Sequence, residues 1–456
     1  MAHRRRNGPA RGGARAGSPV TIMADGTIKA VHPLSGTRVW TVPGRGGRPI
    51  ATGDSGRMAE GPIGRGVPCA FCPERSADVP PEKARVVRDV DGAFTTVLRP
   101  PPPGSPVDDG NRGNGEDSES PEGVTEFRLI PNLFEIVSYA YWRENHGLTP
   151  SPEARAQHEA WMSTARGRER VEGVLRARFL AAGGAQEKWE RLAESERLAG
   201  SMAFFGGGHD LVVARRHLTD GPEPGLASSG TMSPAEHAAY TRFTVETMGR
   251  LYAEIPAAAY VATFQNWLAR AGASFDHLHK QIVAIDEHGE QVGRELARLA
   301  EDPRLYDHHV ALARDLGLVV VENDHAVAFA GFGHRHPTFE IYAKDPECRP
   351  FELETAQVNG MSDVLHALHV ATGPHIACNE EWHHRPIGVA TPMPWRIQLK
   401  WRTSTLAGFE GGTRIYVTTI SPWELRDRAL DALAAPDRRA RLASGLRLGG
   451  KHPMPT

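Results

Sequence analysis

The chain has 456 residues, and its 53 lysines and arginines nearly balance 55 aspartates and glutamates. This length allows one large domain or two. The formal net charge of -2 argues against a dedicated nucleic-acid binder, because phosphate contacts need a surplus of cationic side chains. No run approaches the roughly 18 consecutive apolar residues of a membrane helix, so we expect no membrane association. Four cysteines are too few for a disulfide framework in this chain and favour a cytoplasmic location.

Three stretches are predicted to lie outside the main core. Residues 1–20 are rich in arginine and glycine and lack the apolar segment of a secretory signal, which predicts a disordered tail. Residues 99–124 consist mostly of proline, glycine and polar residues, which predicts a disordered surface loop because so little apolar area could offset its ordering entropy. Residues 151–199 are rich in alanine, arginine and glutamate and open with Ser-Pro-Glu, which predicts an inserted helical pair.

The remaining elements follow an order that occurs twice. Apolar runs predict strands, and a capping box at Ser233 predicts a helix over about 234–254. The first half contributes strands near 127–137 and 209–214 before this helix; the second contributes strands at 319–332 and 338–343, a helix at 352–371 and a strand at 394–402. The pattern predicts an α+β fold built from a duplicated module with mainly antiparallel sheets. A parallel doubly wound fold is disfavoured because no strand leads into a G-x-G-x-x-G helix start.

The stretch from Phe264 to Ile282 carries the strongest chemical signal. It ends in His277-Leu278-His279-Lys280-Gln281, and on a strand the two imidazoles and the amide would share one face. Crowding such side chains is costly for packing alone. A small-residue turn with Ser274 precedes them, and Asn266 lies further upstream, so the segment predicts a site for an anionic ligand.

A single C-x-x-C motif, formed by Cys69 and Cys72, lies between two prolines. A four-cysteine zinc ribbon is excluded because no second C-x-x-C exists. Three interpretations stay open from the spacing: zinc completed by two distant histidines, a redox pair, or two plain cysteines.

Together these and other motifs resemble the galactose-1-phosphate uridylyltransferase family, the nucleotidyl-transferring branch of the histidine-triad superfamily. Most of the chain outside the tail, the loop and the insert takes part. The matching segments are H-P-L-S-G-T-R-V-W (32–40), the arginines of R-G-G-R-P (45–49), Cys69 and Cys72, R-L-I-P-N-L-F (128–134), H-D-L-V-V-A-R-R-H (209–217), the 264–281 segment with Leu278 at the usual proline position, and A-G-F-E-G-G-T-R-I-Y-V … S-P-W-E-L (407–425).

The resemblance implies a histidine-triad-like module in each half. Residues 21–315 would form the catalytic, zinc-containing N-terminal module and residues 316–456 a degenerate C-terminal one. By this analogy His279 is the nucleophile that attacks the α-phosphorus of a nucleoside-diphosphate sugar, a role that suits a neutral imidazole. Gln281 would share the catalytic work by holding phosphate oxygens. The residues that the resemblance assigns to substrate binding are Arg45, Arg48, Asn132, Asn266, Ser274, Phe409 and Glu410.

The resemblance also implies one structural zinc ion. Its ligands would be Cys69, Cys72, His217 and His277, with His277 orienting the strand of the nucleophile. His209 matches a further family histidine, which we interpret as structural. A second metal is not expected, because Arg396 and Gln398 stand where many members carry two histidines.

The implied activity is transfer of a nucleoside monophosphate from an NDP-sugar to a sugar 1-phosphate through a nucleotidyl-histidine intermediate. A phosphorylase or hydrolase that uses phosphate or water as acceptor is the alternative, and a non-catalytic nucleotide-binding protein is a third interpretation. Residues 404–406 depart from the basic motif of galactose-specific members, so the acceptor sugar is not assigned. The family resemblance also suggests a homodimer.

Overall fold

A computed structural model describes residues 18–43, 68–102, 119–120 (backbone only), 123–220, 225–346, 349–404 and 407–454. Most of the predicted tail and acidic loop lies outside these ranges. The ends of both predictions need correction, because strands extend into them: one begins at Val20, and two others cover Glu119–Ser120 and Gly123–Pro131. No helix in the described part of the chain is long and apolar enough to cross a bilayer.

The strands of the described residues are β1 (Val20–Ile22), β2 (Ile28–Val31), β3 (Arg38–Thr41), β4 (Ala84–Arg88), β5 (Phe94–Leu98), β6 (Glu119–Ser120), β7 (Gly123–Pro131), β8 (His209–Ala214), β9 (Tyr260–Trp267), β10 (His279–Ile285), β11 (Val319–Glu322), β12 (Ala326–Ala330), β13 (Thr338–Ala343), β14 (Cys378–His383), β15 (Arg396–Trp401), β16 (Ile415–Thr418) and β17 (Arg447–Leu448).

The α-helices are α1 (Tyr139–His146), α2 (Pro152–Ser163), α3 (Ala165–Ala181), α4 (Gln186–Arg191), α5 (Glu194–Arg197), α6 (Ala203–Gly206), α7 (Pro234–Glu254), α8 (Glu290–Glu301), α9 (Leu305–Asp315), α10 (Thr355–Thr372), α11 (Gly408–Thr413), α12 (Pro422–Ala434) and α13 (Pro436–Arg439). The capping box at Ser233 starts α7 as predicted: its hydroxyl accepts from the backbone N–H of Glu236, and the Glu236 carboxylate accepts from the Ser233 N–H.

One large sheet of 13 described strands runs through both halves of the chain. Its order is β17-β11-β12-β13-β15-β14-β9-β10-β8-β7-β4-β5, with β6 beside β7, and the listed neighbours pair antiparallel. The series β4-β7-β8-α7-β9-β10 recurs in chain order as β11-β12-β13-α10-β14-β15, and the two copies meet at the β9–β14 pair. The structure therefore confirms the α+β fold with a duplicated, mainly antiparallel module.

The two faces of this sheet have different coverings. Helices α7 and α10 pack on one face, where Phe243, Met248 and Leu365 join a continuous apolar core. On the first half of the other face lie His279 and Gln281. The C-terminal half of that face is covered by α8, α9 and a small sheet of order β1-β2-β3-β16, whose apolar residues pack with Phe329 and Tyr342.

Strand register aligns polar residues of both modules into rows on this second face. Gln281 pairs with Phe264, Phe264 with Glu381, and Glu381 with Gln398. The neighbouring row contains Asn266, Asn379, Lys400 and Thr338, each paired with the next. Because side chains alternate along a strand, paired residues of one row point to the same face. The candidate site lies on this face.

Candidate active site

Four side chains predicted as metal ligands meet at one edge of the first module. Cys69, Cys72, His217 and His277 place their ligand atoms within 4.8 Å of one another. The two Sγ atoms are 3.6 Å apart, the Nδ1 of His277 lies 3.4 Å from Sγ of Cys69, and the Nδ1 of His217 lies 3.5 Å from Sγ of Cys72. Cys69 and Cys72 lie in the loop before β4, His217 follows β8, and His277 precedes β10.

These distances fit a tetrahedral zinc ion. With Zn–S bonds of about 2.3 Å and Zn–N bonds of about 2.0–2.1 Å, the edges of the tetrahedron would be about 3.3–3.8 Å. The Nε2–H of His277 donates to the carbonyl oxygen of Ala214 at 2.6 Å, which leaves Nδ1 unprotonated toward the sulfurs. Burial alone would raise the pKa of the Cys69 thiol, but its interactions with the imidazoles of His217 and His277 outweigh burial and lower that pKa to about 5. The donor set is therefore prepared for a cation.

The imidazole of His279 is oriented with one nitrogen free. Its Nδ1–H donates to the carbonyl oxygen of His277 at 2.8 Å, so Nε2 carries the lone pair. The residue is 5% exposed, and burial lowers the pKa of His279, which keeps the ring neutral. The strand containing it begins at His279 and not at His277, so the predicted strand was too long by two residues.

An aromatic residue of the C-x-x-C loop connects the metal cluster to His279. The Phe71 ring lies 5.1 Å from the His279 ring in an edge-on contact and 4.6 Å from Phe275. The buried guanidinium of Arg128 donates to the Phe71 carbonyl oxygen at 2.5 Å. Fixing the Cys69–Cys72 loop therefore also fixes the aromatic ring that contacts His279.

Gln281 is held by a histidine that we interpreted from the sequence as structural. The Nδ1 of His209 accepts the backbone N–H of Ile136 at 3.0 Å, so its Nε2 bears the proton and points at Oε1 of Gln281, 3.2 Å away. The Nδ2 atom of Asn132 lies 3.0 Å from the same Nε2, and the Oδ1 atom of Asn132 accepts the N–H of Phe134. With its oxygen engaged, the Gln281 amide can donate to a ligand.

The other residues of the 264–281 segment are more open. Ser274 is exposed in the loop between β9 and β10. Gly272 in the same loop has φ +89°, a conformation that favours glycine. Asn266 lies in the row next to that of Gln281. Its Oδ1 accepts a hydrogen bond of 2.7 Å from Nδ2 of Asn379, a residue of the second module. Lys280 points to the helix-covered face, where it pairs with Glu380 at 2.5 Å.

The structure does not join every predicted substrate residue to this group. Phe409 lies on α11, 48% exposed, with its ring 6.3 Å from that of Trp40 beside the small sheet, and Glu410 accepts the N–H of Ala407. Within the described residues, no hydrogen bond or ring contact connects either to His279. Arg45 and Arg48 lie outside the described residues.

Two observations bear on a second metal. Arg396 forms a buried ion pair with Glu295. A salt bridge therefore occupies one of the two positions at which many members of the galactose-1-phosphate uridylyltransferase family carry a histidine. A separate buried group of His32, His309 and Glu340 could offer three ligands. However, Nδ1 of His32 accepts the Ser35 N–H at 3.1 Å, so its Nε2 carries a proton and faces the carboxylate as a donor.

Sequence reasoning missed contacts that form only across strands. No sequence pattern assigned a role to Phe71, and the partnership of His209 with Gln281 spans 72 positions. The polar pair that opens H-D-L-V-V-A was the one available signal, because a histidine on a strand that is otherwise mostly apolar needs a polar partner when it is buried.

The chain matches one protein family and several solved structures. The profile of a family described as "Domain of unknown function (DUF4921)" matches residues 23–455. No curated protein matches the chain. Among solved structures, the chain is similar to an ADP-glucose phosphorylase from Arabidopsis thaliana with bound ADP-glucose, at 18% identity over 88% of this chain and 98% of that one, with a TM-score of 0.56. A GalT-like protein from Arabidopsis thaliana is 17% identical over 80% and 91% of the two chains, with a TM-score of 0.50. At the level of the fold, these matches confirm the resemblance to the galactose-1-phosphate uridylyltransferase family.

Proposed function

The chain belongs to the DUF4921 family, and we propose that it is an enzyme that transfers the nucleotidyl group of an NDP-sugar through a covalent intermediate on His279. The observation that carries the proposal is the orientation of His279: Nδ1–H is bound to a backbone carbonyl, and Nε2 is unprotonated on the same face as Gln281. That is the arrangement that a nitrogen nucleophile toward phosphorus needs.

In the first step Nε2 of His279 attacks the α-phosphorus. An N–P bond forms, the bond between the α-phosphorus and the bridging oxygen breaks, and the sugar 1-phosphate leaves with that oxygen. The imidazole becomes cationic as it forms the N–P bond, and its Nδ1–H hydrogen bond to the His277 carbonyl strengthens accordingly. In the second step a phosphate oxygen of the acceptor attacks the same phosphorus and His279 leaves as the neutral imidazole.

Gln281 stabilises the transferred group. Its amide N–H groups would donate to the nonbridging oxygens while His209 holds the amide oxygen, so the donor is oriented before the substrate arrives. Ser274 and Asn266 are proposed to add donors from the loop and the neighbouring strand, Asn132 to contact the nucleotide, and Arg45 and Arg48 to supply charge.

The cluster of Cys69, Cys72, His217 and His277 is proposed to hold one zinc ion. With four protein ligands the site would be closed, so the ion would supply structural order and not an open coordination position. Its contribution to the chemistry would be indirect, through His277 and Phe71, which both contact the His279 region.

The acceptor has two candidates. A sugar 1-phosphate is implied by the sequence resemblance, whereas inorganic phosphate is favoured by the likeness to an ADP-glucose phosphorylase and by the non-basic segment at 404–406. Both acceptors attack through a phosphate oxygen, so the same groups around His279 serve either reaction.

A two-stage experiment tests the proposal. The protein is first incubated with UDP- and ADP-sugars carrying a labelled α-phosphate, and the adduct is trapped and tested for the acid-labile, base-stable behaviour of a phosphoramidate. The isolated adduct then receives a sugar 1-phosphate, inorganic phosphate or buffer. We expect adduct in the parent and in His288→Ala, an exposed-histidine control, and none in His279→Ala. Equal labelling of the His279 variant would refute the assignment.

A further inference from the structure

We propose that a cationic cavity between the C-terminal half of the large sheet and the segments that cover it is a second anion-binding site, which takes the phosphate group of a small phosphorylated compound. The cavity has a volume of about 260 Å³ and opens on the same sheet face as His279. Its volume is below the roughly 300 Å³ at which pockets for drug-sized ligands begin, so it suits a small polar ligand. This inference goes beyond the proposed function and does not depend on it.

Charge is the first argument. Three cationic residues line the cavity: Arg335, Lys400 and Arg402. The one carboxylate among its lining residues, Glu381, is paired with Lys400 at 2.5 Å. Among the described residues, the two guanidinium groups therefore leave an uncompensated positive charge in a concave polar site, which favours an anion.

Unused donors are the second argument. Nε of Arg402 is buried and has no hydrogen-bond partner among the described residues, and the same is true of Nδ1 of His336. Gln398 is 2% exposed, lines the cavity, and makes no side-chain hydrogen bond within the described part of the chain. Buried polar groups are normally satisfied, so the two unpartnered nitrogens of Arg402 and His336 beside one cavity point to a ligand that satisfies them, and the Gln398 amide is free to join.

The electrostatic environment agrees with this interpretation. Burial first, and then the charges of Arg335, Arg402 and Lys400, lower the pKa of His336 to about 4. A neutral imidazole can donate one hydrogen bond to an anion without adding charge. The positive potential comes from the arginines and the lysine.

The location separates this site from the reacting phosphorus. Asn379 lines the cavity and donates to Asn266, so the two sites are neighbours on one row of the sheet. Lys400 and His279 are nevertheless three strands apart, about 14 Å at the usual strand spacing. An anion held by Lys400 and Arg402 is therefore not the group attacked by His279.

Binding measurements on the zinc-loaded full chain test the proposal. Titration calorimetry on His279→Ala uses inorganic phosphate, glucose 1-phosphate and glucose as probes, so that no turnover contributes. We expect both phosphate-bearing probes to bind and glucose not to. A response to glucose 1-phosphate alone would identify a sugar phosphate as the ligand, and a response to both would identify the phosphate group itself.

Variants assign the binding to this cavity. Arg335→Gln/Arg402→Gln, which leaves the Lys400–Glu381 pair intact, should weaken phosphate binding at least tenfold. Gln281→Ala should leave this component unchanged, and Arg428→Gln serves as the surface-charge control, since its side chain is 53% exposed on α12. If the double variant unfolds, Arg335→Gln alone replaces it and should weaken binding at least threefold. Unchanged isotherms in the folded arginine variants would overturn the proposal.

Discussion

The Nε2–H of His209 is directed at Oε1 of Gln281 over 3.2 Å, while the backbone N–H of Ile136 fixes the tautomer of His209 from the other side. This relay sets which end of the Gln281 amide faces a ligand. An amide has a donor end and an acceptor end, and only the donor end can stabilise a phosphate oxygen. His209 is therefore a positioning residue for Gln281.

His209→Phe should slow adduct formation about tenfold, because Gln281 loses the partner that orients it. Gln281→Ala should cost about a hundredfold, in the range found for loss of one oriented donor to a developing anion. The decisive measurement is the double variant: in the Gln281→Ala background, His209→Phe should have almost no further effect. His384→Phe, which removes a buried histidine bonded to Tyr252, is the control and should affect stability alone. Independent, additive losses from His209 and Gln281 would contradict the relay.

His279→Ala should abolish nucleotidyl exchange, because the variant lacks the imidazole nitrogen that would attack the α-phosphorus. His279→Gly should recover part of the reaction when a nucleotidyl-imidazolide is added, since the small cavity admits the free ring. If His279→Ala and His279→Gly released product from that reagent at equal rates, the added imidazole ring would not be binding in the cavity left by the His279 side chain.

The protein purified without chelator should contain about one zinc ion per chain. Cys69→Ser should lower zinc content and the unfolding temperature together, because a structural metal contributes folding free energy. Cys378→Ser is the matched control, since Cys378 is a buried thiol on β14 outside the cluster. Elemental analysis measures the zinc content of both variants, and thermal unfolding measures their unfolding temperatures. A second equivalent of metal would point to the group of His32, His309 and Glu340 and would refute the prediction of a single metal site.

Lys280→Met should destabilise the fold by about 3–5 kcal/mol, because it leaves the Glu380 carboxylate buried without its cation. The Lys280 ammonium and His369 hold the pKa of Glu380 near 2, against the effect of burial, which would raise it. Lys280→Met/Glu380→Gln should regain part of the loss. Urea unfolding measures both, and equal stability of the single and double variants would contradict the pairing. Adduct formation by the folded fraction should be nearly unchanged, since Lys280 faces away from His279.

Deletion of residues 103–118 with a short Gly/Ser bridge should leave turnover nearly unchanged. The deletion stops short of the predicted limits because Arg99 pairs with Glu254 at 2.6 Å and Val124 belongs to β7. Steady-state kinetics of the shortened chain provides the measurement. A large fall in turnover with an intact unfolding transition would show instead that this segment covers the substrate.

Local patterns in the sequence were enough to predict the secondary-structure elements that depend on interactions between neighbouring residues. The capping box at Ser233 set the start of α7, apolar runs predicted several of the strands, and the repeated order of elements predicted the duplicated antiparallel fold. The C-x-x-C of Cys69 and Cys72 left three interpretations open, and only the family resemblance named His217 and His277 as the ligands that would complete a metal cluster.

Only the tertiary structure decided contacts that depend on register and packing between distant segments. The pairing of β9 with β14 joins the two modules and places Asn266 beside Asn379, and the fold of the C-x-x-C loop places Phe71 on His279. Arg402, Arg335 and Gln398 are ordinary residues in their own segments. They form a cationic cavity because two separate segments, one just before β13 and one at the end of β15, meet on one sheet face, and no local pattern in the sequence predicts that meeting.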